Sequence, residues 1–322
     1  MAEISHRAIE TNGIRMHLAE AGSGPLVLLC HGFPESWYSW RHQIVALADA
    51  GFHVVAPDMR GYGQTEAPEA IDQYTLLHLV GDMVGLLDAL GEPTAVIAGH
   101  DWGAPVAWYA ALLRPDRFRA VIGLSVPYRP RGKVRPTTVM PRTKDAVFYQ
   151  LYFQQPGVAE ADLEADVRSS VRGIVQRISG EGQVTPGGFA MVPVATGMRA
   201  RNQASASAPL PGWLTAADID FYTGEFTRTG FRGGLNWYRN IDRNWEILAP
   251  FAGAKVMVPA LYVAGERDLV LGFPGAAEMV ANLPSVVPKL QQTIMLPGCG
   301  HWTQQERPEE VNTAMIGFLR AL

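Results

Sequence analysis

Cysteine is scarce: Cys30 and Cys299 are the only two among 322 residues. At most one disulfide can form, and each lies beside a histidine, so packed, reduced thiols are expected. Long apolar runs are missing too. None approaches the ~20 residues that span a membrane, and Met1 to Glu10 has no hydrophobic signal core. Positive charge is thin. The net charge is −4, and no basic cluster exists beyond Arg129 to Lys133, which argues against a nucleic-acid partner. Internal repeats are absent. Hydrophobic residues make up 48% and charged ones 18%, which excludes a disordered chain. The expectation is a soluble cytoplasmic protein with a large core.

Apolar runs punctuated by helical periodicity fill the first part of the chain. Arg7 to Glu10 and Ile14 to Glu20 alternate around Asn12-Gly13, which predicts a hairpin with a two-residue turn. Leu26 to Cys30, Phe52 to Ala56, Thr94 to Ala98 and Ala120 to Leu124 read as buried strands. Trp37 to Ala50, Tyr74 to Leu90 and Ala104 to Leu113 read as helices, the first two stopping at Gly51 and Gly91. Alternation of this kind predicts an α/β fold, a mostly parallel sheet with helices on both faces. Active sites in such sheets lie at the carboxyl ends of the strands.

From about Arg129 to Trp245 no convincing apolar strand appears. Gly180 to Pro211 is rich in Gly, Pro, Ala and Ser and predicts a long loop. Strands resume at Ala260 to Ala264 and Thr293 to Leu296, and a last helix runs from about Pro308 to Leu322. The expected organisation is a core of residues 1–128 and 247–322, with a helical cap, 129–246, inserted between two strands.

The chemistry centres on Gly99-His100-Asp101-Trp102-Gly103, between a strand and a helix. A strand turning straight into a helix around one reactive side chain is a nucleophile elbow, and the flanking glycines avoid Cβ clashes with neighbouring backbone. The central residue is aspartate, not serine. With a pKa of about 4 it is an anion at pH 7. It can attack a saturated electrophilic carbon, in an epoxide or an alkyl halide, and form an ester. The plain alternative is a tight turn with an acidic N-cap.

Two further strand ends carry Asp268, in Ala264-Gly265-Glu266-Arg267-Asp268, and His301, in Gly298-Cys299-Gly300-His301-Trp302. The order Asp101, Asp268, His301 is nucleophile, acid, histidine. His301 is suited to take a proton from water, and Asp268, with Glu266 as the alternative, to hold the imidazole. Backbone N–H groups of Phe33 and Trp102 are placed to hold an oxyanion.

These residues resemble the soluble-type epoxide hydrolases of the α/β-hydrolase fold. The likeness rests on His31-Gly32-Phe33-Pro34-Glu35-Ser36-Trp37, on the elbow, on Gly300-His301-Trp302, and on two cap segments, Phe148 to Gly157 and Gly230 to Asn240. The core motifs are shared with haloalkane dehalogenases; the cap segments are the specific part. The resemblance implies a cis peptide before Pro34. It also assigns Tyr149 and Tyr238 to the epoxide oxygen, with Tyr152 as the alternative to Tyr149. A phenol of pKa ~10 can donate to the developing alkoxide. His31, Trp37, Gln150, Tyr152, Trp237 and Trp302 are candidate substrate contacts, and Trp37, Trp40, Trp102, Trp237 and Trp302 are expected to wall an apolar pocket. The expected reaction turns a small lipophilic epoxide and water into a vicinal diol without cofactor or metal, in a monomer or homodimer, for detoxification or lipid metabolism. A dehalogenase of the same fold, with the Trp102 indole on a halide, and a small-ligand binding relative without turnover are the alternatives.

Overall fold

The computed structural model describes residues 2–182 and 190–322. The chain opens with β1 (Ser5–Thr11) and β2 (Ile14–Ala21), joined through Asn12 and Gly13, both at positive φ. That is the geometry a two-residue primed turn requires. Next come β3 (Leu26–Cys30), α1 (Arg41–Asp49), β4 (His53–Pro57), α2 (Leu76–Leu90), β5 (Ala95–His100), α3 (Gly103–Leu113) and β6 (Phe118–Leu124). Short strands β7 (Ala146–Phe148) and β8 (Met191–Pro193) lie within the segment that follows, before β9 (Ala260–Gly265) and β10 (Leu290–Leu296). A helix over Pro308–Arg320 ends the order.

The main sheet has eight strands in the order β1-β2-β4-β3-β5-β6-β9-β10. The strands from β4 to β10 pair in parallel, and β2 runs antiparallel to both β1 and β4. The continuous apolar runs make sense here, because both faces are covered. Leu28, Cys30, Ile97 and Val121 point to one core, with α2 and α3. Val27, Leu29, Val96, Ala98, Ala120 and Ile122 point to the other, with α1 and the last helix. The first core continues without a break into the inserted segment, through Phe153, Leu163, Val171, Phe231 and Trp237.

That segment departs from the sequence expectation in two ways. It contains strands, since β7 and β8 pair antiparallel. The stretch 180–211 is not one long loop either: it holds β8 and a helix, Arg199–Ala206, which packs on the helix Val167–Arg177. Part of that stretch, 183–189, lies outside the described residues. Three-residue strands are too short to show a period, and the helix is held by tertiary packing rather than by a clean apolar stripe.

Candidate active site

Asp101 sits at the turn between β5 and α3 with φ +50°, a left-handed conformation rare for any residue but glycine. The turn is tight enough that a Cβ on Gly99 would lie 2.0 Å from the Gly103 carbonyl oxygen, and one on Gly103 2.1 Å from that of Cys30. The glycines are therefore a steric necessity of the elbow.

The two carboxylate oxygens of Asp101 have different surroundings. Oδ1 accepts a hydrogen bond from the Phe33 N–H at 2.8 Å, where the Phe33–Pro34 peptide is cis. Oδ2 lies 3.4 Å from His301 Nε2. Burial works against the charge of Asp101. The hydrogen bond and charge of His301, the charge of His100 and the Phe33 N–H outweigh it and keep its pKa below the usual carboxylate value. On the far side of the imidazole, His301 Nδ1 donates to Asp268 Oδ1 at 3.0 Å, and that oxygen also caps the Val270 N–H. Burial would lower the His301 pKa, but the Asp268 carboxylate and the hydrogen bonds to Asp101 and Asp268 raise it well above the ordinary value. Glu266 is exposed at the strand end, whereas Asp268 is buried.

Tyr149 opens a short helix after β7, and Tyr238 lies on the helix Arg232–Arg239. Their ring centroids are 6.0 Å apart. With Phe33, Asp101 and His301 both line a cavity of about 40 Å³. Gln154 Nε2 donates to the carbonyls of Gln150 and Tyr238 and so ties the two segments together. Gln150 Nε2 donates to the Tyr149 hydroxyl at 3.0 Å. The Trp102 side chain hydrogen-bonds Tyr238, with the rings perpendicular at 5.1 Å. Burial first, and the Asp101 charge second, push both phenol pKa values up, so both hydroxyls keep their protons and can donate. A second cavity of about 320 Å³ begins at Asp101, Trp102, Tyr149 and Gln150.

Several other candidates stand behind the site instead of in it. His31 Nδ1 donates to the Gly32 carbonyl and its Nε2 accepts from the Met59 N–H, so both ring nitrogens are occupied in the core. Trp37 packs against His6, Tyr38 and Phe221. The Tyr152 hydroxyl donates to Asp162 at 3.0 Å, away from Asp101. The indoles of Trp237 and Trp302 donate to the carbonyls of Arg60 and Val175, and both side chains are fully buried. Of the five tryptophans expected to wall a pocket, only Trp102 lines either cavity; Trp40 is sealed in the second core. Buried indoles need a partner for the N–H, and a backbone carbonyl behind the wall satisfies it as well as a ligand.

The structure adds residues that sequence reasoning missed. His100 Nε2 donates to the His301 carbonyl at 2.7 Å, and its Nδ1 lies 2.6 Å from Glu35 Oε1. Gln304 donates to the other Glu35 oxygen. Ser125, at φ +68° after β6, places its Oγ 3.1 Å from His301 Nδ1. Glu35 and His100 stand inside motifs already quoted; a polar residue adjoining a nucleophile within a buried run was the available signal. Among the described residues no cluster of His, Cys, Asp or Glu could hold a metal.

The arrangement brings an anionic carboxylate, a histidine backed by a second carboxylate, and two protonated phenols together around one cavity. Residues 25–308 match the family model of the alpha/beta hydrolase fold. The chain is 47% identical to epoxide hydrolase A of Mycobacterium tuberculosis, over all of this chain and 99% of that one. Among solved structures, an epoxide hydrolase from an endophytic Streptomyces superposes with a TM-score of 0.94 at 48% identity, covering 99% of this chain and 96% of the other. Epoxide hydrolase A from Mycobacterium thermoresistibile gives 0.92 at 49% identity, covering 99% of each. The chain belongs to the epoxide hydrolases of the α/β-hydrolase fold.

Proposed function

We propose that this epoxide hydrolase converts an epoxide and water to a vicinal diol in two half-reactions, through an ester on Asp101. The observation that carries the reading is the division of the Asp101 carboxylate, with Oδ1 on the Phe33 N–H and Oδ2 beside His301, in a cavity shared with two protonated phenols.

In the first half-reaction the Tyr149 and Tyr238 hydroxyls donate to the epoxide oxygen. Oδ2 attacks a ring carbon, the carbon–oxygen bond breaks, and one phenol gives its proton to the alkoxide. In the second, His301 takes a proton from water, and the resulting hydroxide adds to the ester carbonyl carbon. The oxyanion forms on Oδ1, at the N–H groups of Phe33 and Trp102. Collapse expels the diol oxygen, which takes the proton from His301. One oxygen of water stays in the Asp101 carboxyl group, whose proton passes back to His301, and the tyrosinate regains through solvent the proton that His301 released once the ester had formed.

The charges make the two steps sequential. A free enzyme with His301 between two carboxylates favours the imidazolium, which is no base. Esterification removes the Asp101 charge, and with it part of what raises the His301 pKa. The imidazole becomes able to lose its proton only when an ester exists to be hydrolysed. The reduced-thiol, cytoplasmic reading is consistent with Cys30 and Cys299, which are both free and buried. No helix among the described residues is long and apolar enough to cross a membrane.

The test is a single turnover of styrene oxide in water enriched in oxygen-18, with enzyme in excess. Label in the peptide carrying Asp101 and unlabelled diol are expected. Label entering the diol directly would mean that water attacks the ring and Asp101 is not the nucleophile.

A further inference from the structure

The two phenols beside Asp101 stand on unlike supports. Tyr238 rides on the helix Arg232–Arg239, which is packed tightly onto the core. A Cβ on Gly233 would lie 2.0 Å from the Gly61 carbonyl oxygen, and one on Gly234 2.7 Å from the Phe33 ring and from the Tyr62 hydroxyl. The Trp237 indole donates to the Arg60 carbonyl at 3.0 Å, and Asn240 Nδ2 donates to that of Ile71 at 2.6 Å. Arg60 is itself held by Asp82 through two nitrogens, in a pair that is almost fully buried. The backbone of Tyr238 is therefore fixed relative to the loop after β4.

Tyr149 stands on slighter elements. It opens a helix of four residues, Tyr149–Tyr152, directly after the three-residue strand β7. A single helical turn has no stability of its own, and a two-stranded sheet this short adds little. The Tyr149 N–H donates to the Ala190 carbonyl at 2.7 Å, so that bond too stays within the inserted segment. Ring contacts with Phe153 and Phe273 surround the phenol. Apolar contacts of this kind are non-directional: they fill space without fixing where a hydroxyl points.

Bonds that cross from one support to the other must set the distance between the phenols. Gln154 reaches the turn of Tyr149 itself. Its Nε2 carries two hydrogens: one goes to the Gln150 carbonyl at 2.8 Å, the other to the Tyr238 carbonyl at 2.9 Å. The first acceptor lies one residue past Tyr149, on a turn too short to satisfy its own carbonyls. The second belongs to the other phenol-bearing residue. An amide oxygen in place of Nε2 would face two carbonyl oxygens, so the partners fix the orientation of the amide. Arg239 also crosses, to the carbonyls of Phe153 and Gln155 and to the Glu160 carboxylate. Those acceptors lie past the end of the Tyr149 turn.

We infer that Gln154 is a positioning residue for ring opening: it sets the separation of the Tyr149 and Tyr238 hydroxyls by spanning the two backbones that carry them. The inference rests on the ester mechanism proposed above. Gln154 lines neither cavity, so it acts through the phenols. Two hydroxyls serve one epoxide oxygen only when both meet it at hydrogen-bonding distance, a window about 0.5 Å wide. Loss of the span leaves Tyr238 in place on the core and lets Tyr149 drift. The penalty therefore falls on alkylation, and it falls through Tyr149.

The test uses two variants of similar size in the full chain. Q154M keeps the length of the side chain and removes both donors. Q154E keeps the shape and sets carboxylate oxygens against the two carbonyls. Rapid mixing with styrene oxide reads ester formation and ester hydrolysis separately. Alkylation is expected to slow roughly 10-fold in Q154M and further in Q154E, with the rate of ester hydrolysis unchanged. A misplaced phenol cannot cost more than an absent one, so Q154M/Y149F is expected to alkylate no more slowly than Y149F alone. Wild-type alkylation rates in both folded variants would overturn the role given to Gln154. Equal slowing of both half-reactions would overturn it as well, since that marks a general loosening of the site, and so would a Q154M penalty carried in full into the Y149F background. Absence of any ester with the wild-type enzyme would instead overturn the mechanism on which the inference is built.

Discussion

In the proposed mechanism the two oxygens of Asp101 have separate jobs, and the separation makes each half-reaction addressable by one substitution. Attack by Oδ2 needs no base, since the carboxylate is already ionised. Hydrolysis of the proposed ester relies on His301. The variant H301Q is therefore expected to form the ester at a rate near that of the wild type and to hydrolyse it ~10²–10⁴-fold more slowly. Mass spectrometry after mixing with styrene oxide would find the adduct on the Asp101 peptide, and its absence would contradict this division of labour. In the same proposal Tyr149 and Tyr238 act on the other half. Each phenol removed takes away one donor to the developing alkoxide, so Y149F and Y238F are expected to slow alkylation on the order of 10²-fold each, and the double variant further. Rapid-mixing fluorescence separates the steps; equal slowing of ester hydrolysis would show that the tyrosines do not serve ring opening.

At the scale of elements, legibility in the sequence follows burial on both faces. The strands β3, β4, β5, β6 and β9 lie between two cores and were readable as apolar runs. The residues that end those runs, Asp101 and Asp268, were readable for the same reason, as was His301 after β10. Tyr149 and Tyr238 were assigned through the resemblance, since nothing in their local pattern separates a site tyrosine from a packed one. What failed was orientation. Trp37, Trp237 and Trp302 stand beside site motifs in the chain, yet tertiary hydrogen bonds and stacking turn them into the core. Glu306 was likewise invisible, because a carboxylate near a helix start reads as an ordinary surface charge. Here it binds three backbone N–H groups across two segments. E306A leaves those donors without their partner, at about 1–3 kcal/mol for each that stays buried. The melting temperature is expected to fall by several degrees, with E306Q, which keeps one acceptor oxygen, falling less. Equal melting temperatures for wild type and E306A would mean that the segments hold together without this carboxylate.

For the whole molecule the same charges set a pH window. His301 has a folded-state pKa well above its unfolded value of about 6.5. Between those two values the folded protein binds a proton that the unfolded chain does not, so stability falls as pH rises. The contribution is fully present below about 6.5 and is lost as pH climbs through the folded value. Asp101 has the opposite sense: its pKa is depressed, so its contribution is present above the unfolded carboxylate value of about 3.9 and is lost at lower pH. The wild-type melting temperature is expected to decline from neutral to alkaline pH more steeply than that of H301Q, which has no proton to lose at this position. Parallel declines would show that His301 is not held as the imidazolium in the free enzyme. The kinetic counterpart uses the change of charge on esterification. Neutralising Asp101 leaves Asp268 as the one carboxylate on the imidazole, so the pH inflection of ester hydrolysis is expected to lie below the His301 pKa of the free enzyme, measured by NMR. Coincident values would mean that the Asp101 charge does not govern the histidine, and that the imidazole is a base from the outset rather than one switched on by its own substrate.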